Sequence, residues 1–223
     1  MIYAIETYQV KRSDHAAFVQ FVEAEVWPAL EASGAQRVGL WCVILGGPER
    51  VFMMTRYEDV GHWQDCQDWQ SDLWQGIGQA SVVENADSMI VRPITSIEPT
   101  EAPEADPGIY TVRTFQIDMK KDLPKFIDLS ENRWWPWVRL GEGVRPICQW
   151  TTIISDAPRI YMMTRYDSLS HWEGHQLGNA RETLADSNLQ AIYDDALIAI
   201  EQRREIVKET SVKILKPMSR ALP

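Results

Sequence analysis

The sequence predicts an α+β fold of two tandem βαββαβ units, whose sheets pack against each other as a barrel within one chain. Three observations predict it. First, the chain is written twice. "VFMMTRYEDVGHW" from Val51 returns as "IYMMTRYDSLSHW" from Ile160, and the match runs outward through Trp41 and Trp150, Arg37 and Arg145, Phe18 and Phe126, to "IYAIETYQV" (2–10) and "IYTVRTFQI" (109–117). Second, each copy alternates runs rich in aromatic and β-branched residues with stretches whose apolar residues fall at helical spacing. Third, the joint "IEPTEAPEADPG" (97–108) is rich in Pro and Glu, a linker composition. The units are then 1–96 and 109–223.

The elements follow in order. "IYAIETYQV" alternates and reads as a strand. Behind a Ser13 cap, Ala17, Phe18, Phe21 and Val22 mark a helix that Pro28 is expected to end or kink. "RVGLWCVILG" and "RVFMMTRYE" are strands joined through Gly46-Gly47-Pro48, a hairpin signal. Asp59 caps a second helix, in which His62, Cys66, Trp69 and Leu73 form one stripe, and "DSMIVRPI" closes the unit as a strand. This order is the ferredoxin-like split βαβ unit. Its sheet carries helices on one face only, so the bare face needs a partner. The repeat supplies it. The second copy adds "NLQAIYDDALIAIEQRREIVKE", a long amphipathic helix expected to cap the barrel mouth or form a dimer interface.

These residues resemble the NIPSNAP family of the dimeric α/β-barrel superfamily, whose opening signature is close to Tyr-x-x-Arg-x-Tyr. Tyr110, Arg113 and Phe115 match it well. In the first copy Tyr3 and Tyr8 match, but Glu6 replaces the arginine. The resemblance implies the ferredoxin-like barrel. The superfamily holds cofactor-free monooxygenases, heme-degrading enzymes, lyases, isomerases and proteins without a known reaction, so fold alone does not settle function.

Composition narrows the classes. The 223 residues carry a net charge of −10 and a pI near 4.9, which disfavours nucleic acid and anionic membrane surfaces as partners. No apolar run approaches a membrane span, and the N-terminus lacks a signal-peptide pattern. Cys42, Cys66 and Cys148 are scattered and odd in number, reading as reduced thiols of a cytoplasmic protein. No Gly-rich phosphate loop, nucleophile elbow or CxxC is present, so nucleotide-dependent and acyl-enzyme chemistry are not expected.

The space between the sheets is the expected pocket, lined by alternate strand residues. Ala4, Glu6 and Tyr8 share one face of the first strand, as do Thr111, Arg113 and Phe115 in the second copy. Glu6 is expected either to pair with Arg113 across the barrel or to act as an acid or base of raised pKa, with Arg113 stabilising the anion formed. On that reading Glu6→Gln abolishes turnover and leaves the melting temperature nearly unchanged. His62 and His171 read as packing residues, as general bases, or as an axial heme ligand. Candidate substrate contacts are Tyr8, Trp41, Met54, Arg56, Phe115, Trp150, Met163 and Arg165. His171 and His175 sit four apart on one helical face, but no third ligand is in sight, so no metal is expected. "RWWPW" (133–137) reads as a pocket rim, a lid or a contact with a second chain. Three functions stay open: an acid/base enzyme without a nucleotide cofactor acting on a hydrophobic or aromatic small molecule (lyase, isomerase or cofactor-free monooxygenase), a heme-binding or heme-degrading protein, or a non-catalytic binding scaffold. A homodimer is an open alternative to a monomer.

Overall fold

A computed structural model of the protein describes residues 1–67, 83–95, 108–153, 155, 157–176 and 186–218. The strands are β1 (Ile2–Val10), β2 (Gln36–Leu45), β3 (Val51–Tyr57), β4 (Val83–Pro93), β5 (Ile109–Gln116), β6 (Arg145–Thr152), β7 (Ile160–Tyr166) and β8 (Glu209–Pro217). They close into a barrel in the order β1-β3-β2-β8-β5-β7-β6-β4. Each repeat supplies four adjacent strands, and all neighbours are antiparallel. The predicted barrel is therefore present. Its two sheets also bond edge to edge, through β2–β8 (Trp41↔Pro217 to Leu45↔Ile214) and β4–β6 (Val91↔Thr152 to Pro93↔Trp150). Every strand has a neighbour on each side, but β4–β6 pairs only Val91 to Pro93, so among the described residues 83–89 of β4 pair with β1 alone.

The turn between β2 and β3 packs against β8. Gly46 has φ +90°, and a Cβ there would stand 2.2 Å from the Val212 carbonyl oxygen. Only glycine satisfies both the backbone angle and the close approach.

In the first repeat the helix runs α1 (His15–Phe21), a π-helical stretch Val22–Val26, then α2 (Trp27–Ala32). One expectation is corrected here and another is narrowed. Ser13 is not the cap. It lies in a 3₁₀ turn, Arg12–Asp14, and its hydroxyl bonds the Asp14 carboxylate. Nor does Pro28 end the rod. The π stretch resets the hydrogen-bond register, so Pro28 falls in the first turn of α2, where a missing N–H is tolerated. The second repeat repeats the device with α4 (Leu123–Asp128), a π stretch Leu129–Trp134 and α5 (Trp135–Leu140), with Pro136 in the first turn. Helix α3 covers residues 60–67, and Asp59 does accept from the His62 N–H at its start, as expected. The rest of the predicted stripe, Trp69 and Leu73, and linker residues 97–107 lie outside the described residues.

α6 (Leu169–Gln176) and α7 (Ser187–Ile206) complete the second repeat. α7 does not cap the barrel mouth. It lies over the outer face of the second sheet, packed against the π stretch and α5. A forked ion pair fixes it there: Arg133 donates through Nε and Nη2 to Asp195, at 2.6 Å for the shorter Nη2 bond, and through Nη1 to Gln202 at 2.9 Å.

Three apolar layers result. The barrel interior holds Tyr3, Ile5, Trp41, Phe52, Met54 and Trp150 with their neighbours. The first outer layer packs α1 and α2 on the first sheet through Tyr8, Phe18, Trp27 and Met53. The second packs α4, α5 and α7 on the second sheet through Phe115, Phe126, Trp135 and Met162. Trp63 and Trp172 pack helix on sheet, as expected. Among the described residues no helix is long and apolar enough to cross a membrane.

Candidate functional site

The expected site residues fall into three separate places. Side chains alternate across a strand, and the interior of this barrel receives Tyr3 and Ile5 from β1, not Ala4 and Tyr8. Trp41, Met54, Trp150 and Met163 do point inward, with Arg56 and Arg165 on the same strand faces at one end. The four inward residues, but not the two arginines, line a cavity of only about 130 Å³. Arg56 is bonded to Gln36 and Arg165 to Asp167. The interior is mostly filled, so the pocket expected between the sheets is small.

Glu6 lies on the outer face of the first sheet, beside Ala4 and Tyr8. Arg113 lies on the outer face of the second. A whole barrel separates them, so they do not pair. Glu6 is 5% exposed, and its Oε2 has no partner. Burial pushes its pKa up to about 7, opposed by a hydrogen bond from Tyr8.

His62 and His171 form matching clips. The Glu58 N–H donates to His62 Nδ1 at 3.3 Å, and His62 Nε2 donates to the Ser33 carbonyl at 2.9 Å. The Asp167 N–H and the Glu142 carbonyl treat His171 in the same way, at 3.3 and 2.7 Å. A carbonyl only accepts, so each Nε2 carries the proton and each Nδ1 is taken. Both rings tie the start of a helix to the turn after the preceding one. They offer no lone pair to a substrate proton or to a heme iron.

The large space is elsewhere. A cavity of about 830 Å³ lies between the outer face of the second sheet and the helices over it. Thr111, Arg113, Phe115 and Tyr166 line it from β5 and β7, while Tyr193, Ala196, Ile200 and Arg203 line it from α7. Of the expected site residues it gathers Arg113, Phe115 and His171. "RWWPW" contributes Trp134 and Trp137, consistent with a pocket rim.

Its chemistry centres on Glu142 and His175. Glu142 accepts from Trp137 Nε1 at 2.9 Å and bonds His175 Nδ1 through Oε2. His175 lines the cavity, and its Nε2 makes no hydrogen bond among the described residues. The carboxylate fixes the tautomer with the proton on Nδ1, leaving the Nε2 lone pair available. Tyr166 packs against both His171 and His175, at 5.7 and 5.6 Å between ring centroids. Burial pushes its hydroxyl up to about 12 while the Arg113 charge pulls it down. Burial likewise lowers the Arg113 guanidinium, with Tyr166 opposing.

The first repeat shows what changed. Ser33 stands where Glu142 does, each giving its carbonyl to the local histidine clip. Cys66 stands where His175 does, four residues after that histidine. Ser33 Oγ and Cys66 Sγ are 3.2 Å apart. Thus a Ser–Cys contact in one repeat is replaced by a Glu–His pair in the other. Sequence reasoning weighed His175 only as a metal ligand and passed over Glu142 and Arg203. The signal lay in the departures from the repeat.

The NIPSNAP family model matches residues 3–96. Comparison with curated proteins gives no match. Among solved structures, a candidate monooxygenase from Lactobacillus acidophilus NCFM superposes with a TM-score of 0.63 at 13% identity, covering 96% of this chain and 92% of that one. A candidate monooxygenase from Fusobacterium nucleatum gives 0.57 at 11%, covering 98% and 92%. An anthrone oxidase-like protein gives 0.59 at 7%, covering 98% and 91%. These likenesses show the fold alone: a closed antiparallel barrel made within one chain.

Proposed function

We propose that this chain, whose residues 3–96 match the NIPSNAP family model, is an enzyme working without a nucleotide cofactor on a hydrophobic, aromatic small molecule, by acid–base chemistry in the cavity of the second repeat. The carrying observation is the Glu142–His175 pair set in the wall of an aromatic-lined cavity of about 830 Å³. That volume suits a fused-ring molecule.

His175 Nε2 takes a proton from an acidic C–H or O–H, and Glu142 stabilises the imidazolium and holds the ring. Arg113 stabilises the negative charge left on the substrate. The three whole-chain structural likenesses, two named as candidate monooxygenases and one as anthrone oxidase-like, favour oxygenation over a lyase or isomerase outcome. In that reaction an activated ring CH₂ loses a proton to His175 and its carbanion passes electrons to O₂. The peroxide so formed loses water to leave a carbonyl. The balance is CH₂ + O₂ → C=O + H₂O.

Anthrone is the probe. The wild-type protein is expected to exchange the methylene hydrogens for deuterium under nitrogen and to consume one O₂ per anthrone in air. His175→Asn keeps a donor toward Glu142 but loses the base. It should slow both by about 10²–10⁴-fold, with a melting temperature close to wild type. Exchange that proceeds at the same rate in His175→Asn removes His175 as the base. Exchange without oxygen uptake leaves the proton-transfer site and eliminates the oxygenase reading.

A further inference from the structure

Arg203 is a buried cation without a counter-ion among the described residues. It is 8% exposed on the sheet-facing side of α7, and its Nε makes no hydrogen bond. Its guanidinium carbon lies 5.0 Å from the Phe115 ring centroid, 4.9 Å from Phe126 and 5.0 Å from Trp134. The faces of these rings attract the charge, but they offer no oxygen or nitrogen acceptor to its N–H groups. Acids are close at hand on the same helix, yet they go to other arginines: Asp195 to Arg133 and Glu201 to Arg204. Among the described residues no acid reaches Arg203.

Other charges line the same cavity: Arg204 and Lys208, and the acids Glu142, Glu201 and Glu209, of which Glu142 is bonded to His175 and Glu201 to Arg204. Arg113 lines it as well. Burial pulls the Arg203 guanidinium down to about 9, and the charge of Arg113 is the second cause. The half-buried Arg113 repels the buried Arg203, and the charge of Arg203, kept without an acid among the described residues, is costly. In the first repeat Glu6 occupies the position of Arg113. A bound anion resolves the imbalance, and the planar guanidinium fork is the side chain suited to gripping two oxygens.

We propose that the substrate of this cavity enters already carrying an anionic oxygen group, a carboxylate or phenolate on its aromatic frame, and that Arg203 is the receptor for that group. The inference rests on reading the cavity as the substrate site. It assigns Arg203 to the permanent charge and leaves Arg113 for the charge that develops during reaction. The aromatic box excludes water from the ion pair and so strengthens it.

Two isosteric probes test it: 2-naphthoate and 2-naphthamide, titrated into the full chain at pH 7.5 and fixed ionic strength, followed by tryptophan fluorescence and calorimetry. The naphthoate is expected to bind about tenfold more tightly or better, the size of one charge-assisted contact. Arg203→Met should erase that preference while holding the naphthamide Kd within about twofold. Equal affinity of the wild-type protein for both probes overturns the anion assignment and leaves the aromatic cavity standing. A preference that survives in Arg203→Met overturns Arg203 as the receptor. Binding of neither probe overturns the cavity as a substrate site altogether. Should Arg203→Met not fold, Arg203→Lys decides, because a single ammonium cannot fork. A preference reduced about threefold or more supports the proposal, and an unchanged one overturns it.

Discussion

Trp150→Ala is expected to lower stability by about 3–5 kcal/mol, read as a fall in melting temperature of roughly 10 °C for a chain of this size. Trp150 is fully buried in the barrel interior. Its ring meets Tyr3 of the other repeat edge-on, with centroids 5.8 Å apart, and the reciprocal pair, Trp41 with Tyr110, has the same separation. These two crossings stitch one half of the barrel to the other. Removing an indole leaves a void that a closed barrel collapses into only partly. Trp150→Phe should cost far less. It keeps the edge-on ring and removes an indole N–H that has no partner. Chemical denaturation of the two variants checks this. A loss in Trp150→Ala below about 1 kcal/mol would mean that the interior repacks freely, contrary to the close crossings seen.

The second large effect concerns Glu6 and is one of pH. Its folded-state pKa of about 7 lies above the 4.5 of an unperturbed carboxyl, because burial penalises the charged form. The folded protein therefore holds this proton more tightly than the unfolded chain does. The stabilisation is complete below pH 4.5 and is lost as pH rises through about 7. Over that window it amounts to roughly 3 kcal/mol at most. Glu6→Gln imitates the protonated form at every pH. It should match the wild-type protein near pH 4 and be the more stable of the two at pH 8. Turnover should be unaffected, since Glu6 lies in the outer layer of the first repeat, across the barrel from the Glu142–His175 cavity. The difference between the two stability–pH curves is the measurement, because acid titration of surface carboxylates then cancels. A flat difference would show that Glu6 stays ionised in the fold. Loss of turnover in Glu6→Gln would return catalysis to the first repeat.

Much of the architecture was legible because the repeat carries it twice. The alternation in "IYAIETYQV" and "IYTVRTFQI" places the strands, and the matched Trp and Tyr positions give the barrel its two halves. Which face looks inward was not legible. Period two says that Glu6 travels with Tyr8, but not which side of the sheet they take. The usual clue is a polar side against an apolar one, and here both faces are covered. Six of the seven residues of β3 are buried, on both of its sides. The site misled for a related reason. His62 and His171 drew notice because they recur, yet what recurs in both halves is the structural clip. Arg113 was found because Glu6 breaks the pattern at its position. Glu142 and His175 break it in the same way against Ser33 and Cys66. Arg203 lies in a charged run, "IEQRRE", that reads as solvated surface until the rings of Phe115, Phe126 and Trp134 are seen around it.

The order of the strands around the barrel also bears on how the chain is made. β8 is synthesised last, yet it is the strand that zips β2 to β5. During translation the first repeat is complete while its inner face, with Tyr3, Trp41 and Phe52, still lacks a cover, and the free edges of β2 and β4 await β8 and β6. That surface fits the second repeat of any copy, its own or a neighbour's, so an exchanged dimer reuses every native contact. The Pro- and Glu-rich tether decides between them. It holds its own second repeat at an effective concentration of about millimolar, above that of a neighbouring chain in a dilute solution, and so favours a barrel closed upon itself.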